Sequence, residues 1–188
     1  MTIDYSIYLL PVSKLFCMNK KIGVLVISFF VSLNVSAQDK IVTLEKKLPS
    51  IVVSDVDGNK VDVSELSKDG KLIILSFWAT WCVPCKKELT NIMDVYEDWQ
   101  KNYNAELVAV SIDDSRNVTK VKPTVDGTGW PYRVLLDPNQ DLKRALSFQN
   151  VPYTLVTDKN GNIAYMHSGY VEGDEFELEE KLKELSKQ

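Results

Sequence analysis

Two runs of the chain, KLIILSFW at residues 71–78 and AELVAVSI at residues 105–112, are almost continuously apolar over the length of a β-strand. Strands that expose one face to water alternate polar and apolar residues, so these runs predict central strands covered on both faces. Between them Leu89, Ile92, Met93, Tyr96 and Trp99 recur at helical spacing and form one apolar face. A strand, helix, strand unit of this kind places the chain in an α/β class.

The flanking sequence extends that unit. IVVSDV and KVDV surround Asp57-Gly58-Asn59, a turn cluster that predicts an N-terminal hairpin. Downstream come the strand YRVLLD and a short helix on which Leu142, Ala145 and Leu146 can share a face. YTLVTD and IAYMHSG follow, joined by Lys159-Asn160-Gly161-Asn162, a second hairpin signal. The last helix is expected to open at Asp174 with Glu177 placed as in a capping box, and to carry Phe176, Leu178, Leu182 and Leu185. Pro123 interrupts the helical pattern between Ser115 and Trp130, so an irregular connection is expected there. Trp130 and Pro131 read as packing residues, and Asp137-Pro138-Asn139 as a turn. The sheet implied is mixed, and nothing resembles a phosphate loop or a dinucleotide fingerprint.

At the junction of the first central strand and its helix stands FWATWCVPCKKEL, residues 77–89, with Cys82 and Cys85 three positions apart. A structural zinc site needs four ligands, and apart from Cys17 the chain offers only these two thiols and His167, its single histidine. A stabilising bridge gains most by closing a long loop, and this one would close a very short one. A redox pair has positive support. A cysteine at a helix N-terminus meets the macrodipole and free backbone N–H groups, which favour the thiolate, so Cys82 is expected as nucleophile. Cys85, one turn into the helix, is expected to be shielded and to resolve the mixed disulfide. His167 has no partner motif and reads as structural.

From Met18 the sequence reads MNKKIGVLVISFFVSLNVSAQDK: two lysines, an apolar core, and the small-residue site Val35-Ser36-Ala37. These are the three parts of a secretory signal peptide, expected to be cleaved after Ala37. Ser28, Ser32 and Asn34 interrupt a stretch shorter than the ~20 apolar residues of a spanning helix. Met18 is the expected initiator and residues 1–17 an upstream extension. Cys17 precedes the basic and apolar segments, the wrong place for lipidation. Removal of residues 1–37 leaves 151 of 188 residues, enough for one domain, with a polar lead-in at 38–47 and the domain at 48–188. Three lysines and one aspartate leave with that segment, moving the formal charge from −4 to −6. Such a chain, without a basic patch, is not expected to bind nucleic acid.

The active-site segment resembles that of the thioredoxin superfamily. Similarity to its exported TlpA/ResA-like branch continues through VAVSIDD, WPYRVLLD, NVPYTLVTDKNG and the C-terminal helix, about residues 48–187. Tryptophan before CxxC, proline before the second cysteine, and Val-Pro-x-Thr some seventy residues later form a specific combination. The resemblance implies a thioredoxin fold with an N-terminal hairpin extension and a redox-active Cys82–Cys85 disulfide in place of any cofactor or metal. It further implies that Trp81 shapes a client groove, that Pro84 modulates the reduction potential, and that Pro152 is a cis-proline against the disulfide with Val151 facing the cysteines. Cytosolic thioredoxins carry a buried aspartate where this chain has Ser76. In the exported branch a carboxylate after the next strand can serve, and the best match is Asp114, with Asp113 as its rival; the acid expected to activate Cys85 should have a raised pKa.

The expected function is exchange of a dithiol with protein clients outside the cytoplasm, as a reductant recharged by a membrane thiol donor, in cytochrome c maturation or disulfide repair. Two rivals are a thiol-dependent peroxidase, weakly encouraged by Thr80 two residues before Cys82, and a non-catalytic thioredoxin-like binding module.

Overall fold

The computed structural model describes residues 46–188. The expected upstream extension and signal peptide, and the lead-in as far as residue 45, lie outside the described residues. The described chain contains β1 (Val52–Asp55), β2 (Lys60–Asp62), β3 (Leu72–Trp78), α1 (Val83–Tyr103), β4 (Ala105–Ser111), α2 (Val121–Thr128), β5 (Arg133–Leu136), α3 (Asp141–Leu146), β6 (Tyr153–Thr157), β7 (Ile163–Ser168) and α4 (Asp174–Ser186). The strands form one seven-stranded mixed sheet in the order β2-β1-β5-β4-β3-β6-β7.

The two apolar runs are its centre. β3 and β4 pair in parallel from Leu72 opposite Ala105 to Trp78 opposite Ser111, and β4 pairs in parallel with β5. Every residue of β3 is buried, as a strand covered on both faces requires. The outer pairs β1–β2, β1–β5, β3–β6 and β6–β7 are antiparallel. Asp57-Gly58-Asn59 lies in the β1–β2 turn and the Lys159–Asn162 segment in the β6–β7 turn. The lead-in is tied to this second hairpin: Lys47 bridges Asn162, and Ile163 donates its N–H to the Lys46 carbonyl at 2.9 Å.

Helix α1 crosses from β3 to β4 and buries Leu89, Ile92, Tyr96 and Trp99, with Met93 half-buried at the edge of that stripe. Each large apolar side chain removed from water contributes roughly 1.5–3 kcal/mol, so this face alone fixes the rotation of the helix about its axis. Asn104 ends α1 in the left-handed region at φ 52°, a conformation that asparagine tolerates, and the chain enters β4 at the next residue. α4 packs beside α1, where the Tyr103 hydroxyl donates to Glu179 at 3.0 Å.

Four local expectations differ from the structure. Residues 121–128 form helix α2 despite Pro123, because Pro123 is its third residue and the first turn of a helix has no intrahelical acceptor for the missing N–H. Ala145 is exposed, and α3 buries only Leu142 and Leu146. α4 buries Leu178, Leu182 and Leu185 but leaves Phe176 exposed. Its first residue makes no capping box: Gly173 holds the cap position, Asp174 turns back to accept from Val171 N at 2.8 Å, and Glu177 accepts from the Tyr165 hydroxyl at 3.2 Å.

Candidate active site

Strand β3 delivers the chain at Trp78 to a tight turn, Ala79 to Trp81, from which α1 begins. Cys82 is the N-cap of α1, in extended conformation, and its Sγ accepts from Cys85 N at 3.3 Å. Pro84 sits in the first turn, where its missing N–H costs no hydrogen bond. Cys82 and Cys85 are disulfide-bonded with their Cα atoms 5.4 Å apart. Cys82 is 4 % exposed and Cys85 fully buried, so both sulfurs are largely covered in this disulfide form. When the bond is reduced, the Cys82 sulfur stands at the positive end of a 21-residue helix, which favours its thiolate.

The two adjacent aspartates after β4 part ways. Asp113 is fully buried and grips the active-site turn. Its carboxylate accepts from Thr80 N at 2.8 Å, from the Thr80 hydroxyl at 2.7 Å and from the Ser111 hydroxyl at 2.9 Å. Asp114 points outward, is exposed, and accepts from Asn117 Nδ2 at 3.0 Å and from the Arg116 and Asn117 backbone N–H groups at 3.1 Å. The Asn117 side chain and these amides hold its carboxyl below the usual range. That corrects the expected upward shift: a carboxylate accepting three hydrogen bonds in water is stabilised as the anion, and none of the three comes from a cysteine.

The buried acid on the cysteine helix is Glu88, which sequence reasoning passed over. It follows Cys85 by three residues on the buried face of α1 and is 4 % exposed. Thr154 on β6 donates its hydroxyl to Glu88 Oε1 at 2.7 Å, whereas Oε2 has no protein partner. Burial pushes its pKa up to about 7, against the lowering effect of the Thr154 hydrogen bond. The signal was present in the sequence: Cys85, Glu88, Leu89 and Ile92 share one stripe, and a charged residue inside an apolar stripe asks for a reason.

The antiparallel register that sets Phe77 opposite Tyr153 brings the residue before Tyr153 to the end of the sheet where the cysteine turn emerges. That residue is Pro152, buried, and the Val151–Pro152 peptide is cis. Val151 is half-buried beside it. Trp81 and Val83 flank Cys82 and are 62 % and 71 % exposed, an apolar rim around the entrance to the disulfide.

Comparison with known proteins agrees with this geometry. Residues 44–166 match the model of the AhpC/TSA family. The chain belongs to that family. The thiol-disulfide oxidoreductase ResA of Bacillus thuringiensis strain Al Hakam is 30 % identical over 141 residues, 75 % of this chain and 78 % of that protein. An uncharacterized thioredoxin-like protein from Porphyromonas gingivalis, solved in solution, is 47 % identical at a TM-score of 0.67, covering 74 % of this chain and 92 % of that one. StoA from Bacillus subtilis, at 23 % identity and a TM-score of 0.57 over 70 % of this chain and 98 % of that one, shares the fold. Within the family, the chain is a thioredoxin-like thiol–disulfide oxidoreductase of the ResA type.

Ser76, at the position of the cytosolic thioredoxin aspartate, is fully buried with its hydroxyl unpartnered among the described residues. Trp130 packs edge-on against Trp78 at 5.0 Å and donates its indole N–H to Thr90 at 3.2 Å. His167 on β7 is half-buried, with Nε2 3.3 Å from Asp174 Oδ2. Among the described residues no group of three or more His, Cys, Asp or Glu is placed to hold a metal ion, and no helix is long and apolar enough to cross a membrane.

Proposed function

We propose that this oxidoreductase works outside the cytoplasm as a reductant of protein disulfides. The carrying observation is the Cys82–Cys85 disulfide at the N-terminus of α1, flanked by exposed Trp81 and Val83, with Cys85 and Glu88 on the buried face of the same helix. The Cys82 thiolate attacks a client disulfide; a new S–S bond forms and the client's second sulfur leaves as a thiolate. Cys85 loses its proton and attacks Cys82 Sγ, which closes the internal disulfide and expels the client's other thiolate. Two electrons pass to the client, two protons follow to its thiolates, and a membrane thiol donor then returns the Cys82–Cys85 pair to the reduced form.

Glu88, rather than Asp114, takes the place of proton acceptor for Cys85: a buried acid with a pKa of about 7 is half ionised at neutral pH and can both take and release a proton. Asp113 acts on the same reaction only by holding the turn. Trp81, Val151 and Pro152 form the surface on which an extended client segment lies, and Pro84, between the cysteines, tunes their potential. Haem-attachment cysteines of c-type cytochromes are clients of the right chemistry, because they must be reduced before ligation, as are wrongly oxidised exported proteins.

Reduced protein mixed with a disulfide-bonded model protein such as insulin should lose two thiols for each disulfide opened. Brief alkylation of the reduced form should label Cys82 ahead of Cys85. The peroxidase alternative predicts instead that hydrogen peroxide oxidises Cys82 faster than any protein disulfide does, and that this survives Cys85→Ala. The structure lends that alternative little, since the Thr80 hydroxyl that encouraged it donates its hydrogen to Asp113.

A further inference from the structure

A crevice lies against Glu88 on α1, walled by β6, β7 and the start of α4. It is lined by Glu88, Thr154, His167, Tyr170, Asp174 and Glu175, with Tyr165 and apolar Ile92 and Leu178 completing the wall. Thr154, which holds Glu88 Oε1, is the direct cross-strand partner of His167, so the two side chains stand on the same face of the sheet. Glu88, whose Oε2 is buried without a protein partner, is part of its wall.

The charges around Glu88 are unbalanced. Asp174 and Glu175 come from α4 and both disfavour its anion. Glu175 is occupied by the Tyr170 hydroxyl at 2.8 Å and Gly173 N at 3.1 Å, and Tyr170 is in turn held by Asn91 Nδ2 at 2.7 Å. Tyr165 is committed to Glu177 at 3.2 Å. No lysine or arginine lines the crevice, and His167 is the single basic side chain that does. Its Nε2 rests on Asp174, and its half-buried ring reaches solvent.

We propose that Glu88 and His167 share one proton across this crevice, with Asp174 positioning the imidazole, and that the proton released by Cys85 leaves the protein by this route. The thiol proton of Cys85 passes to the Glu88 carboxylate, then to an imidazole nitrogen, and from the exposed side of the ring to water; no electron moves in these steps. A histidine suits the second station because an imidazole can both accept and release a proton. The role in turnover rests on the oxidoreductase mechanism above, whereas the shared proton does not. His167 is a positioning residue and does not touch the client.

The test is to follow the Glu88 side-chain carboxyl by carbon NMR through a pH titration of the oxidised protein. In His167→Gln the Glu88 midpoint should rise by about one pH unit, because the only basic side chain lining the crevice is gone. His167→Lys should bring it back to the wild-type value or below, which a merely structural role would not do. Glu175→Gln should move it the opposite way, downward, by removing a repelling charge. Release of a thiol from a mixed disulfide preformed on Cys82 should show its pH profile displaced in the same directions. An unchanged Glu88 midpoint in both folded His167 variants overturns the proposal, as does a Glu175→Gln shift in the same direction as His167→Gln. If His167→Gln does not fold, the Lys and Glu175 variants decide alone. A wild-type protein that never resolves the mixed disulfide would sink the redox mechanism, while the titration still decides whether the proton is shared.

Discussion

Cys82→Ser should slow the reduction of a protein disulfide on the order of 10³-fold or more, because the variant lacks the atom that attacks and no neighbouring thiol can take its place. Cys85 is fully buried one turn further into the helix and has no path to a client sulfur. The Cys85→Ser protein should behave differently. It keeps the nucleophile at the helix N-terminus, so the first attack proceeds, and the reaction halts at a mixed disulfide visible as a client-sized mass adduct on Cys82. A single round of exchange, followed by mass spectrometry with thiols blocked, separates the two outcomes. Adduct formation on Cys85 in the Cys82→Ser protein would reverse the assignment of roles.

Glu88 ties stability to pH. Its pKa is about 7 in the folded protein against 4.5 for an unperturbed glutamate, so between these values the unfolded chain has released a proton that the folded chain still holds. The folded state therefore binds more protons over that window, and stability falls as pH rises through it. The contribution is fully present below about pH 4.5 and lost above about pH 7, and the gap corresponds to about 3 kcal/mol. Glu88→Gln keeps an oxygen for the Thr154 hydroxyl but cannot titrate. Denaturant unfolding at pH 4.5 and at pH 8 should show the native protein losing about 3 kcal/mol more than the variant between the two. Equal losses would mean that Glu88 ionises as if exposed. The same substitution should leave the first attack by Cys82 intact and slow client release by roughly 10²-fold, the usual range for a missing proton acceptor.

Much of this site could be read from the chain because its signals are local. A continuous apolar strand, a helix whose buried stripe repeats every three to four residues, and a cysteine at their junction place Cys82 without any tertiary information. The choice between Asp113 and Asp114 could not be read that way. Adjacent residues in a turn point in different directions, and what turns Asp113 inward is Thr80, 33 residues earlier in the chain. Glu88 escaped for the opposite reason: its place in the apolar stripe was visible, but only Thr154, 66 residues away, shows that the fold has built it a seat. Pro123 was read as a breaker because its effect depends on its position within the helix, and the start of α2 carries no side-chain cap to mark it. Phe176 and Ala145 fit helical spacing yet face water, since periodicity names a stripe without saying how wide a neighbour will cover it.

The grip of Asp113 on Thr80 has a mechanical consequence. The loop that carries the nucleophile is anchored at one end by β3 and in its middle by a carboxylate from the end of β4, the strand paired with β3 at the centre of the sheet. The turn before Cys82 is thereby tied to the fully buried centre of the sheet, and of its neighbours only the side chains of Trp81 and Val83 stand free in solvent to adapt to whatever meets them.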